Sequence, residues 1–155
     1  MVTSESNSSV QALNVHYRES EQKTLLMLKD GFHNSLGRFS LWVPKEDCCK
    51  WKGVGCNNEI DNVISLNLHS PDSSKLLQGS ISHGFGNLTS LAVLDFSYNY
   101  LMGSIPHNFG NMTSLIVLDL SYSVLEVPIL ATLKSDSTIA PLQTFTLTRT
   151  SSFLQ

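Results

Sequence analysis

Cys48, Cys49 and Cys56 are the residues of this chain best suited to covalent or metal chemistry, and all three lie in one short segment. Adjacent cysteines rarely chelate one tetrahedral metal, and the C-x2-C pairs typical of zinc sites are missing. The histidines, His69 and His83 among them, are scattered, and no motif sets one where it would activate a thiolate. No catalytic residue, metal site or cofactor site is therefore expected. The cysteines instead suit an oxidising compartment. Asn-x-Ser/Thr acceptors at Asn7, Asn87 and Asn111 fit the same setting. Asn87 and Asn111 share one phase of a sequence repeat, so glycans on them would project from one ridge.

A second group of side chains could act by contact. Ser65, Asn67 and His69 alternate along one segment, Val93, Asp95 and Ser97 along the next, and Val117, Asp119 and Ser121 along a third. With Tyr98 and Tyr122 they make a small, mildly acidic patch bearing two aromatic tips. Tyrosine suits recognition because it buries a large area at low entropic cost. A competing reading takes Asp95/Asp119, Ser97/Ser121 and Tyr98/Tyr122 as framework, since they recur wherever the repeat recurs.

That repeat must position them. Leu91, Leu94, Phe96, Asn99, Leu101, Gly103, Ile105 and Pro106 follow LxxLxLxxNxLxGxIP. Leu115, Leu118 and Leu120 restart the pattern in register with Leu91, Leu94 and Phe96. A fixed period of roughly 20–29 residues means stacked units, none able to bury its apolar face without a neighbour. The pattern is a leucine-rich repeat. Its leucines point inward, its asparagine turns back to bond backbone, and its glycine admits a conformation that Cβ hinders. Phe85 and Phe109, one period apart, should stack on the convex side. The first repeat, opening at Val63, carries an insertion around Ser70-Pro71-Asp72-Ser73. In the third, Ser123 replaces the asparagine, so the asparagine ladder should end there.

Upstream, Leu25, Leu28 and Phe32 recur at helical spacing with Leu36 a turn later, predicting an amphipathic helix from Ser20. Gly37 should lie past its end. Trp42, Trp51 and the cysteine segment then look like a cap over the first repeat. Four segments result: 1–17 without order, 18–60 as N-terminal cap, 61–128 as about three repeats with the last degenerate, and 129–155 as a Ser/Thr-rich tail in which no repeat is found. The fold class is α/β, a solenoid with a helical cap and short parallel strands.

Bulk properties exclude other classes. The net charge is -3 and only 15% of residues are charged, so nothing offers the basic run that nucleic acid requires. No stretch approaches the ~20 apolar residues of a membrane span. Residues 1–17 lack the apolar centre of a signal peptide.

The segments LLMLKDGFHNSLGRFSLW…EDCCKWKGVGC and GNLTSLAVLDFSYNYLMGSIPHNFGNMTSLIVLDLSYS closely resemble plant leucine-rich-repeat receptor-like proteins, over residues 17 to 125. The resemblance implies an extracellular solenoid, usually longer, with a membrane span and a short tail lacking a kinase. It implies non-catalytic recognition of a protein or peptide ligand at the plasma membrane, in defence, with signalling through a partner receptor kinase. It also implies a Cys49–Cys56 bridge. In the family a further cysteine pairs with the first of the adjacent two. Tyr17 occupies that position here, so Cys48 is expected to be an unpaired thiol. The chain is expected to be a truncated member, with positions 129–155 read-through into unrelated sequence. Two alternatives stand beside the receptor reading: a secreted inhibitor of the polygalacturonase-inhibitor type, and a non-functional remnant.

Overall fold

A computed structural model describes residues 5–33, 37–126 and 144–146. Helix α1 (Glu5–Asp30) comes first, followed by strands β1 (Phe32–His33), β2 (Val54–Cys56), β3 (Val63–Asn67), β4 (Gln78–Gly79) and β5 (Val93–Asp95). Strands β6 (Tyr100–Ser104), β7 (Val117–Asp119), β8 (Val124–Glu126) and β9 (Thr144–Thr146) complete the order. Short 3₁₀ turns lie between them, including His83–Asn87 and His107–Asn111.

The strands form two sheets. One runs β2-β3-β5-β7-β9 and the other β1-β4-β6-β8. In the first, β3, β5 and β7 are parallel, with Leu66, Leu94 and Leu118 in register. Each repeat thus presents the same residue to its neighbour, and inward leucines stack on inward leucines. Leu66, Leu91, Leu94, Phe96, Leu115, Leu118 and Leu120 are all buried. Each such side chain contributes roughly 1.5–3 kcal/mol, and only stacking supplies the walls that bury it. Phe85 and Phe109 stack with ring centroids 5.4 Å apart. The architecture is a leucine-rich-repeat solenoid with a helical cap.

The cap closes the first repeat from one side. Strand β2 lies antiparallel on β3, covering the edge that a parallel stack would leave open. Leu25 and Leu28 of α1 are fully buried, and Trp42 stacks on Trp51 with centroids 5.1 Å apart. Buried Glu21 accepts the Val63 amide at 2.9 Å and so ties α1 to the first repeat strand. Burial pushes its carboxyl above the ordinary range, while the Val63 N–H pulls the other way.

Three expectations need correction. Helix α1 starts at Glu5 and not at Ser20, so residues 5–17, expected to lack order, are helical. That stretch carries no apolar stripe to reveal a helix. It also contains no Gly or Pro to stop one, and a nucleated helix extends at little cost. Phe32 belongs to β1, paired antiparallel to β4, and not to the helix that its spacing suggested. The helix ends at Asp30, before Gly31, where the chain passes close to the second sheet. A Cβ on Gly79, at φ +126°, would sit 2.4 Å from the Gly31 carbonyl oxygen, so this crossing admits only glycine. Leu36 lies outside the described residues.

The third correction concerns the tail. Strand β9 pairs parallel to β7, with Val117 opposite Thr144 and Leu118 opposite Phe145. Residues 129–155 were expected to contain no repeat, yet this register sets Phe145 opposite Leu118, the position of an inward leucine. The step along the chain from Val117 to Thr144 is longer than the step from Val93 to Val117. A search at fixed period misses it.

Candidate functional site: the concave sheet and its cap edge

Strands β3, β5 and β7 hold the candidate contact residues in a grid. Ser65, Val93 and Val117 stand side by side, and Asn67, Asp95 and Asp119 form the next row. Asn67, His69, Val93, Tyr98 and Tyr122 are exposed, while Ser65, Asp95, Val117 and Asp119 are half-buried. Tyr98 and Tyr122 stack with centroids 4.1 Å apart, and His69 meets Tyr98 edge-on at 5.5 Å. These three rings form one continuous ledge. The neighbouring Tyr122 hydroxyl first, then slight desolvation and the Asp119 charge, holds the Tyr98 phenol above its ordinary range.

Ser97 and Ser121 do not join this face. Both are buried. Strand alternation predicts them outward, but the chain leaves extended geometry after Phe96, and Tyr98 and Tyr122 take φ of 55° and 59°. Asp95 accepts the Ser97 amide at 2.9 Å and its hydroxyl at 2.6 Å, and Asp119 accepts the Ser121 amide at 2.9 Å. The Asp-x-Ser pairs are turn-builders whose carboxylates cap the strand end. Each then sets the left-handed residue that lifts a tyrosine into solvent.

Behind the turn, buried Asn99 accepts the Leu77 amide at 3.0 Å and donates to the carbonyls of Leu68 and Phe96, each at 2.9 Å. One amide thus satisfies three backbone groups from two repeats. At the next position Ser123 reaches only the Asn99 carbonyl, at 3.4 Å.

At the cap end the grid opens into a cleft of about 510 Å³, lined by Gly37, Arg38, Lys52, Gly53, Asn67, Leu68, His69, Pro71 and Lys75. Arg38 donates to the carbonyls of Lys75, Leu68 and His69 and to Asn99 Oδ1. The insertion in the first repeat forms one wall: Asp72 caps a 3₁₀ turn over Ser73–Lys75. Sequence reasoning missed Arg38, Lys52 and Lys75. Arg38 and Lys52 come from separated positions in the cap and Lys75 from the first-repeat insertion, and no local pattern marks them as neighbours.

The cysteines lie away from this face. Cys49 and Cys56 are bridged with their Cα atoms 5.6 Å apart, and Cys48 is a buried free thiol. Asp47, Cys48 and Cys49 place three potential ligand atoms close together, but Cys49 Sγ is committed to the bridge. Burial first, and then the charges of Asp47 and Glu21, push the Cys48 thiol up to about 11. A thiol that is protonated and covered does not react. The native chain is therefore expected to take up no maleimide at neutral pH and one per molecule once unfolded in urea, measured by mass. Rapid labelling of the native chain would contradict the buried placement.

On the opposite side Asn87 and Asn111 are exposed, each at the end of a 3₁₀ turn, with Thr89 and Thr113 exposed beside them. Asn7 lies in α1, and its side chain is outside the described set. Among the described residues, no helix is long and apolar enough to cross a membrane.

Comparison with known proteins follows this division of labour. Residues 18–57 match the family described as Leucine rich repeat N-terminal domain, and residues 90–112 match Leucine Rich Repeat. Receptor-like protein EIX2 of Solanum lycopersicum is 36% identical over 88 residues, which is 52% of this chain and 9% of that protein. The BIR3–SERK2 complex from Arabidopsis thaliana superposes with a TM-score of 0.66 at 30% identity, covering 80% of this chain and 65% of that one. PEPR1–AtPEP1 gives 0.63 at 29%, covering 84% and 18%. The chain spans less than a tenth of the length of the first curated relatives it matches.

Proposed function

This chain belongs to the plant leucine-rich-repeat receptor-like proteins, of which it carries the N-terminal cap and first repeats, and on that premise we propose that its concave sheet binds a protein or peptide ligand at the cell surface, in defence signalling. The observation that carries this reading is the ledge of His69, Tyr98 and Tyr122, exposed on a parallel sheet whose inner face is packed. Large, stiff aromatics on a stable scaffold make good anchors for recognition. The role is contact, without catalysis. Solved structures to which the chain is similar lend it support: one is the BIR3–SERK2 complex, and another is PEPR1–AtPEP1. A receptor kinase is accordingly the proposed signalling partner. The compartment proposed is extracellular, at the plasma membrane, with glycans on Asn87 and Asn111 and also on Asn7. Exposed acceptors on the convex side leave the concave sheet clear for a ligand.

Selection of displayed peptides against the purified chain tests this. Substituting Tyr98→Ala and Tyr122→Ala together is expected to weaken selected binders by about 10- to 100-fold, the span of two truncated anchors. Asn111→Gln on the convex side should leave them unchanged. Binders that ignore the tyrosines and respond to Asn111→Gln would overturn the reading.

A further inference from the structure

The cleft between cap and first repeat carries a charge pattern opposite to that of the whole chain. Arg38, Lys52 and Lys75 line it, and no carboxylate stands among its lining residues, although the chain's net charge is -3. Asp72 pairs with Lys75 from outside at 3.8 Å, both being exposed. Arg38 is the fixed element. Its guanidinium is held by four protein oxygens at 2.6–3.1 Å, and none of them carries a formal charge. Burial lowers its pKa from the ordinary value, as it must for a cation with no carboxylate to compensate it. Lys52 is exposed, and among the described residues its ammonium has no acceptor within bonding distance. The Asn67 amide oxygen accepts from the His69 backbone at 3.2 Å, which leaves its NH2 pointing at no described acceptor. Asp72 thus offsets Lys75 on the insertion wall, while Arg38 and Lys52 leave positive charge uncompensated on the cap side. A half-enclosed space with an unbalanced field of one sign concentrates ions of the other.

We propose that this cleft is an oxyanion site, which takes a carboxylate or a sulfate group carried by the ligand of the concave face. Asn67 and His69 belong to both the cleft and the contact grid, so a chain lying across Tyr122 and Tyr98 arrives there without a break. The two ends of the face then differ electrically. Lys52 and Lys75 receive the anionic group while Arg38 supplies field from behind, and Asp95 and Asp119 face the middle of the ligand. The volume, about 510 Å³, falls in the range of roughly 300–1,000 Å³ typical of ligand clefts. This assignment of ligand chemistry rests on the reading that the concave face binds the ligand.

Sodium sulfate and sodium acetate are the probes, each titrated into the full chain at constant ionic strength while amide chemical shifts are followed by NMR. Saturable shifts centred on Lys52, Gly53, Asn67 and His69 are expected. Lys52→Gln and Lys75→Gln should each weaken binding about 3- to 10-fold, and Lys45→Gln, outside the cleft, should not. Stronger binding of sulfate identifies the sulfate as the group and stronger binding of acetate the carboxylate. Shifts that rise without saturating, or that spread equally to Lys23 and Lys45, overturn the site. The spectra themselves report whether each variant is folded. The displayed peptides separate the two readings. Peptides weakened by Tyr98→Ala and indifferent to Lys52→Gln would sink the role of the cleft and leave the concave face standing. Peptides indifferent to Tyr98→Ala, with sulfate still saturating the cleft, would sink only the concave-face reading.

Discussion

Asn99→Ala is expected to lower the unfolding free energy by about 2–6 kcal/mol. The amide satisfies the Leu77 N–H and the carbonyls of Leu68 and Phe96, all in the buried turn between repeats. The Leu68 carbonyl keeps Arg38 as a donor, so the Leu77 N–H and the Phe96 carbonyl are the groups left without this partner, and each costs roughly 1–3 kcal/mol. Arg38 loses one of its four acceptors as well, so the damage spreads from repeat to cap. Asn99→Asp is the sharper test. A carboxylate keeps both acceptor roles and could pair with Arg38, but it cannot donate, and it faces the carbonyls that the NH2 group served. Asn99→Asp should therefore be at least as destabilising as the alanine variant at neutral pH, and should recover part of the loss below the pH at which the new acid takes up a proton. Urea unfolding at neutral and at acidic pH, with the parent chain as reference at each, reads both effects. A loss under about 1 kcal/mol for the alanine variant would mean that water replaces the amide, and that the turn is open.

Tyr17→Cys is expected to act in the opposite direction. Cys48 is buried and unpaired, and the helical turn following Tyr17 lies beside it: Arg18 pairs with Asp47 and Asp61, and the Glu21 charge acts on the Cys48 thiol. A cysteine at 17 would close a loop of about thirty residues to Cys48. Loop-closure entropy for that size corresponds to about 3–4 kcal/mol, of which native-state strain removes some. The chain should then melt about ten degrees higher, at roughly 2–4 °C per kcal/mol for a domain of about 150 residues. The check is a calorimetric scan together with loss of the single maleimide-reactive thiol in the unfolded chain. If the thiol count falls to zero and the melting temperature does not rise, the bridge forms at the expense of native geometry. If two thiols remain, position 17 does not reach Cys48 in the native helix.

The core of this fold was legible because it is periodic. Leu94 and Leu118 announce each other one period apart, and the packing that follows is the same packing repeated. Residues that break the period were harder. Ser97 and Ser121 alternate correctly on paper, but the Asx turn closed by Asp95 and Asp119 overrides the two-residue rhythm of a strand. Phe32 satisfied a helical stripe, yet Gly31 comes first, and close approach to Gly79 ends the helix there. Strand β9 was hidden by a longer connection and by a phenylalanine in a leucine position. Part of the site could be read as well, because Tyr98 and Tyr122 belong to the repeat. The cleft could not. Arg38, Lys52 and Lys75 meet only because the cap folds back against an insertion in the first repeat, and separation along the chain conceals that.

The grid on β3, β5 and β7 carries a consequence for how a ligand finds its place. Neighbouring strands lie about 4.8 Å apart. A ligand crossing them meets Val93 and then Val117 in one row, Asp95 and then Asp119 in the other. To such a ligand the surface looks the same after one step, so a shift by a single strand costs little and several alignments compete. The first repeat lifts that degeneracy: Ser65 and Asn67 replace the valine and the aspartate there, and His69 ends the aromatic ledge. Alignment on this face is thus decided at its boundary, where the periodicity fails, and the interior repeats supply grip without telling the ligand where to stop.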